Sequence, residues 1–442
     1  MYKKFTLTLL LLLSFSTLDA AYTLKEGKRV KSKIDRMPKN RVADMKRIPQ
    51  DPAYYADQIK PFPKSKQKAL DKEFNKKYFK PWSMHKLDIP KKDFGWEIRF
   101  VTKKRIYRAN GSVIPATVYK KWISNANYKN IDIGKYKAIT VRRTNVKALP
   151  TSSAFYRDPR RTGEGFPFDY NQNSALHINI PLHVSHFSKD KKWAFVRASY
   201  SFGWVKMSDI ALVDHAFMRS FKNGSYAMVI KDNLRLYNDG KNVSIVKVGS
   251  LFPLSDDGQY LVASRDRKGR AHIEKVKVST AGIIAKKPLP FTGKNVGMLA
   301  KEFYGEPYGW GGSYECRDCS ATTRDFLGAF GIFLRRNSSK QAQDGTRINI
   351  RGLSKNTKKK KIINKAEPFR SLLHVPGHIV LYMGEYKGEP VIMHTYWGIR
   401  KKDKTKLITA RTIITTTEPG KERADIRENS KLINTLSSIV NF

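Results

Sequence analysis

The chain has 442 residues, enough for about three domains, and 40% of them are apolar and 12% aromatic, so wholesale disorder is excluded. Lys and Arg number 85 against 38 Asp and Glu, a formal net charge of +47. The two cysteines, Cys316 and Cys319, are too few for a disulfide scaffold and form one pair where a zinc ribbon needs two.

The chain opens with Lys3 and Lys4, an apolar run from Phe5 to Phe15, and small or polar residues leading to Ala20 and Ala21. The run is too short to span a bilayer and fits a secretory signal cleaved after Ala20, with an uncleaved anchor as the alternative. No later stretch approaches 18 apolar residues, so no integral membrane segment is expected after cleavage. Export shifts the meaning of the charge. The polyanions met outside the cytoplasm are membrane surfaces and cell wall, so no nucleic-acid partner is expected. The densest basic run, Lys358 to Lys361, reads as a polar, solvated loop.

Residues 21–50 are polar, basic and weakly periodic, and read as a linker or extended arm. Ala69, Leu70, Phe74 and Phe79 then recur at helical spacing, and Pro81 is expected to end that helix. Residues 94–137 are of mixed texture. Over residues 138–215 short β-branched and aromatic runs alternate with turn clusters, as in a small barrel. Residues 216–286 repeat that texture without a residue-level repeat. From about residue 287 a short helix (295–304), a Gly-rich aromatic loop, a helix (319–334) and strands at 378–384, 391–398 and 406–416 follow. A helix ahead of an antiparallel sheet is the order of a papain-like α+β architecture.

Asp318 is a good N-cap, which sets Cys319 at the first helical position, ahead of the apolar face of Phe326, Leu327, Phe330 and Leu334. There the backbone N–H groups and macrodipole favour a thiolate, as a nucleophile requires. A buried core cysteine, a Cys-x-x-Cys redox pair and half a zinc site are the alternatives. Against the redox pair, no βαβ pattern surrounds the motif, and the second cysteine, not the first, holds the helix start. A cysteine nucleophile needs a base. His378 opens HIVLYMG and His394 lies in the next run, VIMHTYW. A three-residue loop at 385–387 would set the two imidazoles directly opposite on one face. A two-residue turn at Lys387 and Gly388 would spoil this unless a bulge intervenes.

Together PYGWGGSYECRDCSATTRDFLGAFGIFLRRNSSKQA, PGHIVLYMG and MHTYWGIR resemble the NlpC-type cell-wall cysteine peptidases. The order upstream resembles their multidomain members. It implies a mainly helical N-terminal stabilising domain (51–137), two Src-homology-3-like barrels (138–215 and 216–286) and a papain-like peptidase domain (287–442). Ala321 stands where the family usually has Gly, and Cys316 is not part of its pattern. The resemblance implies Cys319 as nucleophile, His378 as general base and His394 as the group that orients it. Asp318, Ser320 and Ser338 would hold the amine end of the substrate, while Tyr308 and Trp310 would wall the cleft, Tyr308 as a candidate oxyanion donor. Arg336 would support the loop, and Gly311 and Gly312 would serve a turn.

The function expected is an exported, monomeric endopeptidase of peptidoglycan stem peptides, in the periplasm or cell envelope. It would cut between γ-D-glutamate and diaminopimelate through an acyl-enzyme, with no metal or cofactor. The first barrel is expected to close the amine end of the cleft with an aromatic from residues 155–170. The competing hypotheses are a catalytically silent wall-binding protein and a disulfide oxidoreductase using Cys316 and Cys319.

Overall fold

The computed structural model describes residues 22–29, 31–90, 93–134, 136–161 and 163–442, so the expected signal segment and its cleavage site lie outside the described residues. A 20-residue helix, Lys64–Ser83, packs against the units that follow it. Its apolar side touches every other unit. Phe74 meets Phe333, Phe79 meets Tyr226, and Trp82 meets Phe217 and Phe221. Its buried polar tips also find partners. Tyr78 donates to the Asn179 carbonyl at 2.8 Å, Trp82 Nε1 to the Ala138 carbonyl at 2.9 Å, and Gln67 to the carbonyls of Leu289 and Phe330. Pro81 does not end this helix, which continues to Ser83. A proline in the last turn forfeits one hydrogen bond, and the anchoring of Trp82 outweighs it.

Residues 136–212 form a seven-stranded antiparallel sheet whose strand Gln172–Leu176 lies at one edge, against the peptidase loop Trp310–Glu315. The second β unit has a five-stranded and a three-stranded sheet. The middle strand of the five is Tyr22–Glu26, antiparallel to Leu234–Asn238 and parallel to Ala271–Val278. The start of the expected linker is thus a structural strand. Tyr22 and Leu24 point inward, Leu24 fully buried in the core with Leu236, Phe252 and Val262. Only two apolar residues mark this strand, and its partners lie more than 200 residues away, so local periodicity cannot reveal it. Further along the same segment, Asp44 accepts from the N–H and hydroxyl of Thr416 at 2.8 Å, docking residues 42–48 on the peptidase.

The C-terminal unit is a six-stranded antiparallel sheet in the order 346–349, 438–441, 371–375, 378–386, 389–400, 406–416, faced by the helix Cys319–Ala329. That helix stops short of Leu334 because Gly331 turns left-handed at φ 86°. Lys358 to Lys361 do not form a loop. They lie in the helix Lys355–Lys365, N-capped by Ser354. Lys358 is buried there, and its ammonium donates to the carbonyls of Ile433 and Asn434 at 2.8 and 3.0 Å.

Candidate active site

The Asp318 carboxylate accepts from the Ala321 N–H at 2.9 Å and so caps the helix that begins at Cys319. The helix packs on the strand His378–Tyr386. Burial, with the Asp318 charge adding to it, pushes the Cys319 thiol up to about 12, against the opposing pull of the Ile379 and Ser320 N–H groups. Burial likewise carries His378 down to about 4 and His394 well below the usual histidine range. Burial thus favours the neutral form of all three groups. Desolvation here opposes the thiolate that the helix terminus favours.

The hairpin register explains how the two imidazoles meet. The turn is the two-residue kind, Tyr386 pairing with Glu389 across Lys387 and Gly388, so the three-residue loop is not the one formed. A bulge between Tyr382 and Gly384 then shifts the register by one, and Leu381 faces Met393. The shift restores the parity that a two-residue turn removes and returns His378 and His394 to one face, offset along it. His378 Nε2 lies 3.1 Å from His394 Nδ1, and His394 Nε2 lies 3.1 Å from Thr415 Oγ1. Tyr396 stacks on His394 with ring centroids 4.7 Å apart and packs against His378 at 5.2 Å.

Proton positions follow from this chain of bonds. The Thr415 hydroxyl gives its one hydrogen to the Thr416 carbonyl at 2.8 Å and must therefore accept from His394 Nε2–H. A neutral His394 then has a bare Nδ1, which accepts from His378 Nε2–H. His378 keeps Nδ1 bare, the form a general base needs. Thr415 and Tyr396 were missed by sequence reasoning. Thr415 is set by a second bulge, between Tyr396 and Gly398, which no local pattern announces.

Cys319, Tyr308, Trp310, Asp318, Ser320 and Ser338 line one cavity of about 230 Å³. Gly377, next to His378, is on its wall, as are Tyr170, Gln172 and Asn173 from the first barrel and Trp96 from the N-terminal segment. Tyr308 is buried and its phenol is held well above its ordinary pKa, so it keeps its proton to donate. Trp310 Nε1 donates to the Asp169 carbonyl at 3.0 Å, and Phe168 packs on Tyr308, Trp310 and Trp397. The barrel loop thus braces the cleft wall, and of its aromatics Tyr170 reaches the cavity. Gly311 and Gly312, at φ 59° and 84°, do more than turn. A Cβ at Gly311 would lie 2.5 Å from the Gln172 carbonyl oxygen, and one at Gly312 would lie 2.6 Å from the Ala175 Cβ. The glycines let the barrel strand approach.

Arg336 does more than support a loop. Its guanidinium bonds both Asp318 oxygens, at 3.1 and 2.5 Å, Ser320 Oγ at 2.7 Å and Ser174 Oγ of the first barrel at 2.8 Å. Beneath the helix, Arg317 joins Asp232, Glu306 and Asp325 at 2.6–2.9 Å, with Lys247 on Asp232 and Glu306 and His177 on Asp325. This buried network ties both barrels to the residues flanking the nucleophile. Cys316 and Cys319 are both free. Cys316 is buried, and its thiol is pushed up to about 12 by desolvation and the Glu306 charge.

A helix that begins at Cys319 and packs on the antiparallel strands bearing His378 and His394 is the papain-like α+β arrangement. The comparisons agree. Residues 7–130 match the NLPC_P60 N-terminal stabilising domain, 154–206 an SH3 domain of the SH3b1 type, and 305–402 the NlpC/P60 family. The chain is thus similar to the multidomain NlpC/P60 endopeptidases, and its C-terminal unit carries their NlpC/P60 domain, which supports a cysteine peptidase acting on cell wall. Among solved structures, a novel NlpC/P60 endopeptidase from Photobacterium damselae subsp. piscicida aligns with TM-score 0.80 and 25% identity over 92% of this chain and 98% of that one. An NlpC/P60 family protein from Bacillus cereus ATCC 10987 aligns with TM-score 0.44 and 15% identity over 69% and 99% of the two chains. No curated protein matches the chain.

Proposed function

We propose that this chain is an exported peptidoglycan hydrolase that cuts stem peptides between γ-D-glutamate and a diamino acid, typically diaminopimelate. The observation that supports the reading best is the relay Thr415–His394–His378, which leaves His378 Nδ1 bare on the strand that packs against the Cys319 helix.

In the proposed reaction Cys319 attacks the γ-carbonyl carbon as its proton passes to His378 Nδ1. The oxyanion forms against the Cys319 backbone N–H and the Tyr308 hydroxyl. The C–N bond then breaks, His378 returns the proton to the leaving amine, and the γ-glutamyl group remains as a thioester on Cys319. Water, deprotonated by His378, hydrolyses it. His394 holds the imidazole and shares its charge. A cavity of about 230 Å³ walled by Tyr308 and Trp310 suits a short peptide segment.

Among the described residues no helix is long and apolar enough to cross a membrane, and no cluster suited to a metal ion is present. Export rests on the leader-like first twenty residues. Incubating the purified protein with defined muropeptides and weighing the fragments tests the reading. Fragments ending in γ-D-glutamate are expected, and intact muropeptides would refute it.

A further inference from the structure

A second, larger concavity of about 710 Å³ adjoins the catalytic cavity, and the two share Trp96, Asn173, Arg336 and Asn337 as walls. It lies between the N-terminal segment, the first barrel and the peptidase, on the side of Arg336 and Asn337, next to Asp318, the residue that the resemblance assigns to the substrate's amine end. We propose that this cleft receives the amino-sugar that substitutes the stem's amino end in the wall, so that the preferred substrate is a sugar-linked stem and not a free peptide. The inference rests on the peptidase reading and on its substrate orientation.

Two observations argue against capture of a free ammonium. The Asp318 carboxylate is already saturated. Its two oxygens take bonds from the N–H groups of Ala321 and Gly311, the Ser320 hydroxyl and both Arg336 amino groups. An ammonium arriving there would meet the Arg336 charge instead of a vacant acceptor. The larger cleft repels it further. Six Lys and Arg line it against three Asp, and each Asp is held by a base within 4.0 Å. An uncharged amide end meets neither obstacle.

The lining also fits a sugar. Trp96, Phe202 and Phe333 are half-buried on this wall, and an aromatic ring is a surface on which the C–H face of a pyranose packs. Asn173 and Asn337 offer both donors and acceptors for hydroxyl and acetamido groups. Ser199 Oγ, also on this wall, is buried and has no hydrogen-bond partner.

The test compares kcat/KM of the full chain on three probes: L-Ala-γ-D-Glu-diaminopimelate with a free amine, the same peptide N-acetylated, and the same peptide N-acetylmuramylated. The muramyl form is expected to exceed the free-amine form at least tenfold, with the acetyl form between them. Phe202→Ala should bring the muramyl-to-acetyl ratio close to one. Lys77→Trp, at a half-exposed position on the same wall, should do so by filling the cleft, and serves if Phe202→Ala does not fold. A free-amine peptide cleaved as well as the muramyl form, or ratios unmoved in a folded variant, would overturn the inference and leave the peptidase reading intact. No turnover on any probe would overturn that reading and the inference with it.

Discussion

His378 Nε2 and His394 Nδ1 stand 3.1 Å apart because a bulge at Tyr382–Gly384 corrects the parity of a two-residue turn. That contact determines which nitrogen of His378 is free to act as base. It depends in turn on Thr415, which accepts the other His394 N–H. Removing the hydroxyl unpins the tautomer. Thr415→Val should lower kcat by about tenfold with KM within twofold, and His394→Ala should lower it by about 10²–10³, as expected when a general base is misoriented. Steady-state kinetics on a stem peptide check this. A variant that loses affinity alone would place His394 in the binding cleft.

The activity profile should be broad. His378 must be neutral to take the thiol proton, and with its pKa held down at about 4 the acid limb falls only as pH drops toward that value. The basic limb follows loss of the thiol proton, held up at about 12. Both limbs belong to the coupled pair and are read as macroscopic values. A kcat/KM profile from pH 4 to 11 tests this, and a narrow bell centred near 7 would contradict the neutral pair that burial favours.

Stability should be lost on the acid side. His177, His378 and His394 are all held below the ordinary 6.5, chiefly by burial, so the unfolded chain takes up protons that the folded one refuses. Their contribution is present above 6.5 and falls as pH drops through it, by up to about 1.4 kcal/mol per pH unit for each group. Asp325 and Asp318 are held below 3.8, so what they contribute is present above that value and is lost as pH falls further. Arg317→Met leaves buried carboxylates without their main partner and should cost about 3–5 kcal/mol. Thermal unfolding of both proteins from pH 8 to 4 checks each expectation.

Much of the site is legible in the sequence because its signals are local. A cap at Asp318, a helix start at Cys319 and two strand histidines need only a few neighbouring residues to be read. What was not legible depends on distant partners. Arg336 gains its role from Asp318 and from Ser174 of the barrel, and Thr415 from two bulges. The strand Tyr22–Glu26 has too few apolar residues to show a period. The helix over Lys355–Lys365 looked like a loop because its Lys run hides that Lys358 and Ile362 face inward.

Cys316 is buried two positions before the cap, its thiol donating to the Tyr314 carbonyl at 3.3 Å. Cys316→Ser should retain activity within threefold under reducing conditions. Loss of turnover there would make the two cysteines a functional pair.

The central claim is that Cys319 is the nucleophile of a peptidoglycan endopeptidase. It is tested most directly by mass analysis of defined muropeptides treated with the wild-type chain and with Cys319→Ser, alongside their melting temperatures. The account predicts fragments cut after γ-D-glutamate with the wild type, none with the serine variant, and melting temperatures within about 2 °C, since the exchange changes little volume. Turnover retained by the folded serine variant would contradict it.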